Sequence, residues 1–273
     1  MPYRPILARV TPLFVSLSVL LAAALSHAGQ ATPETQDQTQ QQPKEKTPEG
    51  QRAEEKQEQE IEKQQVHERA EQELKIQEHQ RVLGIIPAFN TSNKQNAAPL
   101  SASQKFRLAF KSTSDPFTFA AAAVDAGINQ LQDDYHGYGQ GVIGYSKRFG
   151  ASYADTFDGT ILGNALLPVL FHQDPRYFRK GTGSVKSRLW YAALSTIRCK
   201  SDSGKWQPSY SNLMGNFAAG TISNLYYPEA DRGIELTVQR ALTVSAEGAI
   251  GAMFYEFWPD ISRKLSRRHK AGN

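Results

Sequence analysis

Hydrophobic and polar positions divide the chain into three parts. Residues 13–25 form an apolar run, residues 29–81 are polar with almost nothing to bury, and apolar residues return from about residue 82 onward. The stretch 29–50 is rich in glutamine and proline and cannot offset the entropy lost on ordering, which predicts a disordered linker. Residues 51–83 are strong helix formers with opposite charges three and four positions apart, which predicts a charged spacer helix.

Apolar positions in this spacer helix are too sparse for a coiled coil. Ile61, Val66, Ala70, Leu74 and Ile76 do not sustain the a and d positions of a heptad seam. A homo-oligomer built on this helix is therefore an open alternative, and a solvated spacer is favoured.

Helix start signals recur across residues 100–260. Ser101 can cap a first helix, and Asp115 is an N-cap followed by proline in the first helical turn. The same Asp-Pro pair recurs at Asp174, where a further helix is expected. Pro228 is expected to open a long helix that Pro259 closes. These signals predict an all-α domain over residues 100–260.

Small residues repeat at four-residue spacing within the predicted helices. Such spacing lets two helix backbones approach closely. The pairs are Gly137/Gly141, Gly159/Gly163, Gly215/Ala219, Asn216/Gly220 and Gly248/Ala252. They predict a small-residue-rich helical bundle.

Residues 196–210 interrupt the helical pattern. Ile197 and Cys199 alternate with polar residues, and a turn signal at 202–204 follows, which predicts one short β-hairpin or, as the alternative, an extended loop. An outer-membrane β-barrel is kept as an alternative fold, although the longer apolar runs do not alternate with a period of two.

The first residues carry an export signal. Arg4 and Arg9 precede the apolar run, and small residues end at Ala28, which predicts a cleavable signal peptide over residues 1–28. The expected destination is the periplasm or cell envelope. A single cysteine, Cys199, excludes an intramolecular disulfide framework and is expected to be a buried or strand residue.

Charge is also unevenly distributed. Residues 29–83 hold 8 basic and 13 acidic residues, whereas residues 84–273 hold 21 and 14. Residues 261–273 form a basic tail with five Lys or Arg and no acidic residue. Such a tail suits an anionic membrane surface or another envelope partner. Nucleic acid is disfavoured as a partner because the chain carries an export signal.

The densest polar and aromatic cluster is the stretch 171–179, which follows an apolar run. His172 could act as a general base or metal ligand, Asp174 could orient it, and Arg176 could bind an anion. The alternative reading is structural, with Asp174 capping the next helix and Arg176 paired with a carboxylate. The structural reading is favoured.

A second cluster contains Asp133, Asp134 and His136, with Asp155 and Asp158 further along the chain. Carboxylates and histidine can form an oxygen-rich metal site, and His172 could complete it. Nothing in the sequence fixes their mutual distances, so turn and cap roles are favoured.

Four motifs within residues 101–261 carry a resemblance to known proteins. They are YGQG (138–141), HQDPRYF (172–178), SNLYYP (223–228) and FWPD (257–260). On these motifs the chain resembles a family of exported bacterial proteins of unknown function. The resemblance implies a genuine folded domain and supplies no mechanism.

Motifs of common enzyme classes are missing from the sequence. There is no G-x-S-x-G, no H-E-x-x-H and no phosphate-binding glycine loop, so no cofactor is predicted. Enzymatic activity stays open, with a hydrolase or metal-dependent enzyme centred on His172 as the alternative. The favoured expectation is an exported envelope protein with a non-enzymatic binding or structural role, peripheral to a membrane through its C-terminal helix.

Overall fold

The computed structural model describes residues 48–271, with side chains described as far as Lys264. The predicted signal peptide (1–28) and nearly all of the predicted linker (29–50) lie outside the described residues. So do the side chains of most of the predicted basic tail.

Helices make up most of the described chain, as the all-α prediction requires. A π-helical turn, Leu162–Leu166, separates the fourth and fifth helices. The helices are α1 (Pro48–Gln77), α2 (Ala102–Thr113), α3 (Pro116–Leu131), α4 (Gly141–Ile161), α5 (Leu167–Leu170), α6 (Val185–Ala193), α7 (Tyr210–Ser223) and α8 (Ile234–Ala271). Within the part of the chain that the structure describes, no helix is both long and apolar enough to cross a membrane.

Helix α1 changes character along its length. Its first five turns are exposed and highly charged, but Ala70 and Leu74 near its end are fully buried. Leu74 belongs to a core cluster with Phe89, Leu100 and Leu108. The packed part of the chain therefore begins at about Ala70, earlier than the residue 100 expected from the helix signals.

Short strands connect the helices. Strands β1 (Arg81–Val82) and β2 (Ile86–Pro87) form an antiparallel pair, and β3 (Thr91–Ser92) runs parallel to β5 (Tyr177–Phe178). Strand β4 (Gln173–Asp174) pairs with β6 (Arg198–Ser201), which in turn pairs with β7 (Trp206–Pro208). Strands β6 and β7 are the β-hairpin that the sequence predicted within 196–210.

The two Asp-Pro pairs behave differently. Asp115 caps α3 as predicted, because its carboxylate accepts a hydrogen bond from the Phe117 amide at 3.0 Å. The prediction of a helix after Asp174 is wrong. Asp174 lies in β4, and its carboxylate accepts from the backbone and side chain of Arg176 instead of capping a helix.

Two proline predictions for the last helix are also wrong. Pro228 opens only a single 3-10 turn (Glu229–Asp231), and α8 begins at Ile234. Pro259 does not end α8, which continues to Ala271. Proline removes its own N–H from the helical ladder and its ring crowds the carbonyl four residues earlier, so an interior proline needs support from the rest of the fold. The turn beyond it is held by Asp260, which pairs with Arg188 of α6 at 2.6 Å.

Gly215 and Gly220 bring the central helices into backbone contact, as the four-residue spacing predicted for their pairs. The spacing does not have this meaning at Gly137/Gly141, which begins in a 3-10 turn, or at Gly159, where a Cβ would meet nothing within 4 Å. A Cβ on Gly215 of α7 would lie 2.8 Å from the Cα of Gly163 in the π turn, and a Cβ on Gly220 would lie 2.6 Å from the carbonyl oxygen of Thr237 in α8. Distances under about 3 Å leave no room for a side chain, so α7 packs tightly against both neighbours.

Candidate functional site

His172 lies apart from its expected partners. It is exposed, it adopts a left-handed backbone conformation (φ 52°), and its carbonyl accepts from the Asp202 amide at 2.9 Å. Its ring has no hydrogen-bond or ion-pair partner among the described residues. The structure therefore does not orient His172 through Asp174.

Asp174 and Arg176 form a buried ion pair. The Nε and Nη2 atoms of Arg176 donate to the two carboxylate oxygens of Asp174 at 2.9 and 2.6 Å, and both side chains are almost fully inaccessible. Nη2 also donates to the carbonyl of Ala98 at 2.7 Å. This bidentate geometry fixes the loop between β4 and β5, and it leaves neither Asp174 oxygen free to act as a base.

A cavity of about 180 Å³ lies beside this pair. Strands β4–β7, the π turn, α6, α7 and α8 all contribute to its wall. Rings and arginines dominate the lining, which includes Arg176, Tyr177, Tyr191, Arg198, Trp206 and Tyr255. Sequence inspection had singled out Arg176 but not the residues from the hairpin.

Arg198 of β6 is held by aromatic rings. Its guanidinium lies 5.3 Å from the ring centre of Tyr191 and 4.6 Å from that of Trp206. These are cation–π distances. Among the described residues no carboxylate lies within ion-pair distance of Arg198, so its charge is not neutralised.

Cys199 also lines this cavity. It is buried in β6, as expected from the sequence. Burial raises the pKa of its thiol to about 11. A thiol with so high a pKa is protonated at neutral pH and is a poor nucleophile.

A network centred on Glu256 of α8 is joined to this cavity through Tyr177, which lines it. Its carboxylate has no exposed surface and accepts from the Tyr177 hydroxyl at 2.6 Å and from the Lys180 and Gly181 amides at 2.9 and 2.8 Å. Arg188 donates to it at 2.6 Å. Burial alone would raise the pKa of Glu256, but these donors hold it below its ordinary value. Sequence inspection missed Glu256, because its partners lie 68 to 79 positions away along the chain.

The residues of the second predicted cluster occupy the turn after α3. His136 Nδ1 lies 2.8 Å from Asp133 Oδ2, and His136 is 80% exposed. The carbonyl of Asp134 accepts from the buried guanidinium of Arg148. Over residues 48–264 no three histidine, cysteine or acidic side chains are grouped so that they could hold a metal ion.

Asp155 lies in a separate polar network. Its carboxylate accepts from the hydroxyls of Ser223, Tyr226 and Tyr227 at 2.6 to 2.8 Å, and Arg240 Nη2 lies 2.6 Å from it. Most of these donors belong to the SNLYYP motif. The network ties α4, α8 and the end of α7 together, which gives the motif a structural role.

No family model, no curated protein and no solved structure matches the chain significantly. The resemblance to a family of exported bacterial proteins therefore stays a prediction that rests on the four motifs.

Proposed function

We propose that this protein is an exported, non-enzymatic envelope protein that binds the surface of an anionic membrane through the part of α8 from Ile250 onward. The single observation that carries the proposal is an exposed apolar face on that part of the helix, directly followed by basic residues. A spacer helix ahead of the folded domain would give the domain reach toward such a surface.

The apolar face consists of Ile250, Phe254 and Ile261. Their exposed fractions are 55%, 61% and 49%, although each is a large hydrophobic side chain. At about 100° per residue, the three positions fall within about 40° of arc on the helix. A clustered exposed apolar face on a helix is typical of an interaction surface.

Basic residues extend the same helix beyond this face. Arg263 and Lys264 are exposed, and Arg267, Arg268 and Lys270 follow in the sequence. Each Lys or Arg near an anionic membrane surface contributes about 1 kcal/mol of attraction. Apolar residues that enter the interface, followed by cations at headgroup level, match the charge and polarity gradient of a lipid surface.

The catalytic arrangement expected around His172 is not formed among the described residues. Asp174, which was expected to orient His172, is bound to Arg176 instead. The alternative of a hydrolase or metal-dependent enzyme centred on His172 therefore lacks the contact on which it was based.

Vesicle flotation tests the membrane proposal. The mature protein should float with vesicles that contain anionic lipid at low salt and should be released at high salt, because the attraction between exposed charges is screened. Replacing Ile250 and Phe254 together by Gln should reduce the bound fraction severalfold. Equal binding to neutral and anionic vesicles, or no binding to either, would contradict the proposal.

Ile234→Gln is the matched control for this experiment. Ile234 is 83% exposed and lies at the other end of the same helix, about 160° around its circumference from Ile250. The control variant should bind vesicles as well as the unmodified protein. A loss of binding equal to that of the double variant would show that exposed apolar surface in general is responsible.

The export part of the proposal has its own test. The protein, expressed from its full sequence, should be recovered in the envelope fraction with Gly29 as its first residue. Recovery only in the cytoplasm with an intact N-terminus would contradict export.

A further inference from the structure

We infer that the cavity beside Asp174 and Arg176 binds a small organic carboxylate that carries one ring, a compound of the size and charge of benzoate. This inference is independent of the membrane proposal. It rests on the charge of the cavity, on donors that the protein leaves unpaired, and on the size and lining of the space.

Positive charge in the cavity is only partly compensated. Arg176 and Arg198 both line it, and among the residues that the structure describes Asp174 is the only acidic one that does so. Both Asp174 oxygens are occupied by Arg176. Arg198 has no acidic partner among the described residues. A ligand that completes this charge balance carries one negative charge.

Two buried donors on the cavity lining have no partner. Arg176 Nη1 and Arg198 Nε are inaccessible to solvent and have no hydrogen-bond partner among the described residues. The Arg176 side chain as a whole has no exposed surface. Buried donors are almost always paired in folded proteins, so these two N–H groups, each on a residue that lines the cavity, point to an acceptor that the chain does not itself supply. Because both atoms are covered, a ligand reaches them only when side chains of the lining shift. A carboxylate offers two oxygens and is the usual planar partner of a guanidinium.

Size and lining select the rest of the ligand. A cavity of about 150 Å³ lined by apolar side chains accommodates benzene. The cavity here, about 180 Å³, has room for one such ring and a carboxylate, and it is too small for a long acyl chain. Arg198 lies over the rings of Tyr191 and Trp206, so a planar ligand would pack instead against Tyr177 and Tyr255, which also line the cavity.

Small residues create this space. Gly163 in the π turn and Gly248 and Ala252 of α8 lie on the cavity lining. Gly248 and Ala252 are one helical turn apart on the face of α8 that lines the cavity. π-Helical turns recur at functional sites because they redirect side chains over a single turn. A larger side chain at position 252 would therefore close the cavity from one side.

Calorimetric titration of the mature full-length protein tests the inference with three probes. Benzoate should bind with measurable heat, and benzamide, which has nearly the same shape without the charge, should bind at least tenfold more weakly. Inorganic phosphate, which has the charge without the ring, should also bind at least tenfold more weakly. Equal affinity for benzamide or for phosphate, or no binding of benzoate, would overturn the assignment.

Two variants locate the binding site. Arg198→Gln removes the uncompensated charge and should weaken benzoate binding at least tenfold. Ala252→Leu fills the cavity and should abolish binding. Arg263→Gln, at an exposed arginine outside the cavity, is the control and should bind benzoate normally. A thermal unfolding transition shows that each variant is folded. Unchanged benzoate affinity in the folded Arg198→Gln and Ala252→Leu variants would overturn the proposed site.

Discussion

At the scale of single residues, Glu256 and Arg188 form a buried ion pair. Arg188 donates to the Glu256 carboxylate and to the Glu256 carbonyl, each at 2.6 Å, and its guanidinium stacks on the ring of Phe257 at 4.4 Å. A second carboxylate, that of Asp260, accepts from the same guanidinium. The network joins α6, α8 and the segment after β5, so three parts of the chain depend on one carboxylate.

Replacing Arg188 by Met should destabilise the protein strongly. The substitution keeps much of the side-chain volume but leaves Glu256 buried without its cationic partner. Breaking a buried ion pair from one side costs about 3–5 kcal/mol. Urea denaturation followed by circular dichroism measures the free energy of unfolding.

Arg263→Met is the matched control for this prediction. Arg263 pairs with Asp260 on the exposed surface of α8, where ion pairs contribute about 0–1 kcal/mol. Equal changes in the free energy of unfolding for Arg188→Met and Arg263→Met would contradict this prediction.

Stability should also depend on pH through Glu256. Burial alone would raise the pKa of Glu256, but hydrogen bonds from Tyr177, Arg188, Gly181 and Lys180 outweigh burial and hold it below the ordinary value of 4.5. A carboxylate whose pKa is lowered by folding stabilises the folded state above its unfolded pKa, and this contribution is lost as pH falls through the folded pKa. The free energy of unfolding should therefore decrease below about pH 4.5.

Comparison with Glu256→Gln isolates this contribution. The variant is less stable at pH 7, but its stability should fall less steeply than that of the unmodified protein between pH 6 and pH 3. Parallel pH profiles for the two proteins would contradict the assignment of this pH dependence to Glu256.

Local signals in the sequence predicted individual residues well where the partner is close along the chain. Asp115 caps α3 because its acceptor oxygen and the Phe117 amide belong to the same turn. Asp174 carries the same Asp-Pro signal, yet it pairs across β4 with β6 and holds Arg176, whose guanidinium also reaches Ala98. The Asp174–Arg176 pair is itself local, and the sequence analysis already favoured an Arg176 paired with a carboxylate. The pairing of β4 with β6 and the contact of Arg176 with Ala98, 78 positions away, are what replace the expected helix, and the sequence alone does not show contacts at that separation.

At the scale of the elements, glycines decide how closely α7 approaches its neighbours. Gly215 is buried against the backbone of Gly163, whereas Gly150 of α4 has open space where a Cβ would lie. The two glycines lie in helices of the same bundle and differ in what surrounds them. Replacing each glycine by alanine therefore separates the effect of packing on stability from the effect of helix propensity.

Gly215→Ala and Gly150→Ala should change stability in opposite directions. An added methyl group at Gly215 meets the Gly163 Cα at 2.8 Å and forces the helices apart, which costs about 1–3 kcal/mol. At Gly150 the same change removes only backbone freedom from the unfolded chain, which stabilises a helix by about 0.5–1 kcal/mol. Denaturation midpoints measure both effects, and a stabilising Gly215→Ala would show that the helices are not in backbone contact.

Element boundaries were predicted less well near prolines than near caps. The four-residue spacing of small residues correctly indicated tight helix packing at Gly215 and Gly220, but not at Gly137/Gly141 or Gly159. Pro259 was expected to end α8, but the Asp260 carboxylate binds Arg179 and Arg188 and holds the following turn in place. Tertiary contacts of this kind override a local stop signal.

At the scale of the whole molecule, charge and apolar exposure coincide at one end of α8. The unequal distribution of charge along the chain was evident in the sequence, but which apolar residues stay uncovered was not. Phe254 and Phe257 are three positions apart, yet Phe254 is exposed and Phe257 packs under Arg188. Only the packing of α6 against α8 distinguishes them, so the candidate membrane face could be identified only in the structure.

Hydrogen–deuterium exchange of the mature protein, with and without anionic vesicles, tests the membrane proposal most directly. If the part of α8 from Ile250 onward lies on the lipid surface, amides of residues 250–264 should exchange more slowly when vesicles are present, and this protection should disappear at high salt. Exchange elsewhere in the domain should change little. Protection confined to other helices, or no change at residues 250–264 under conditions in which the protein is bound, would contradict the proposal.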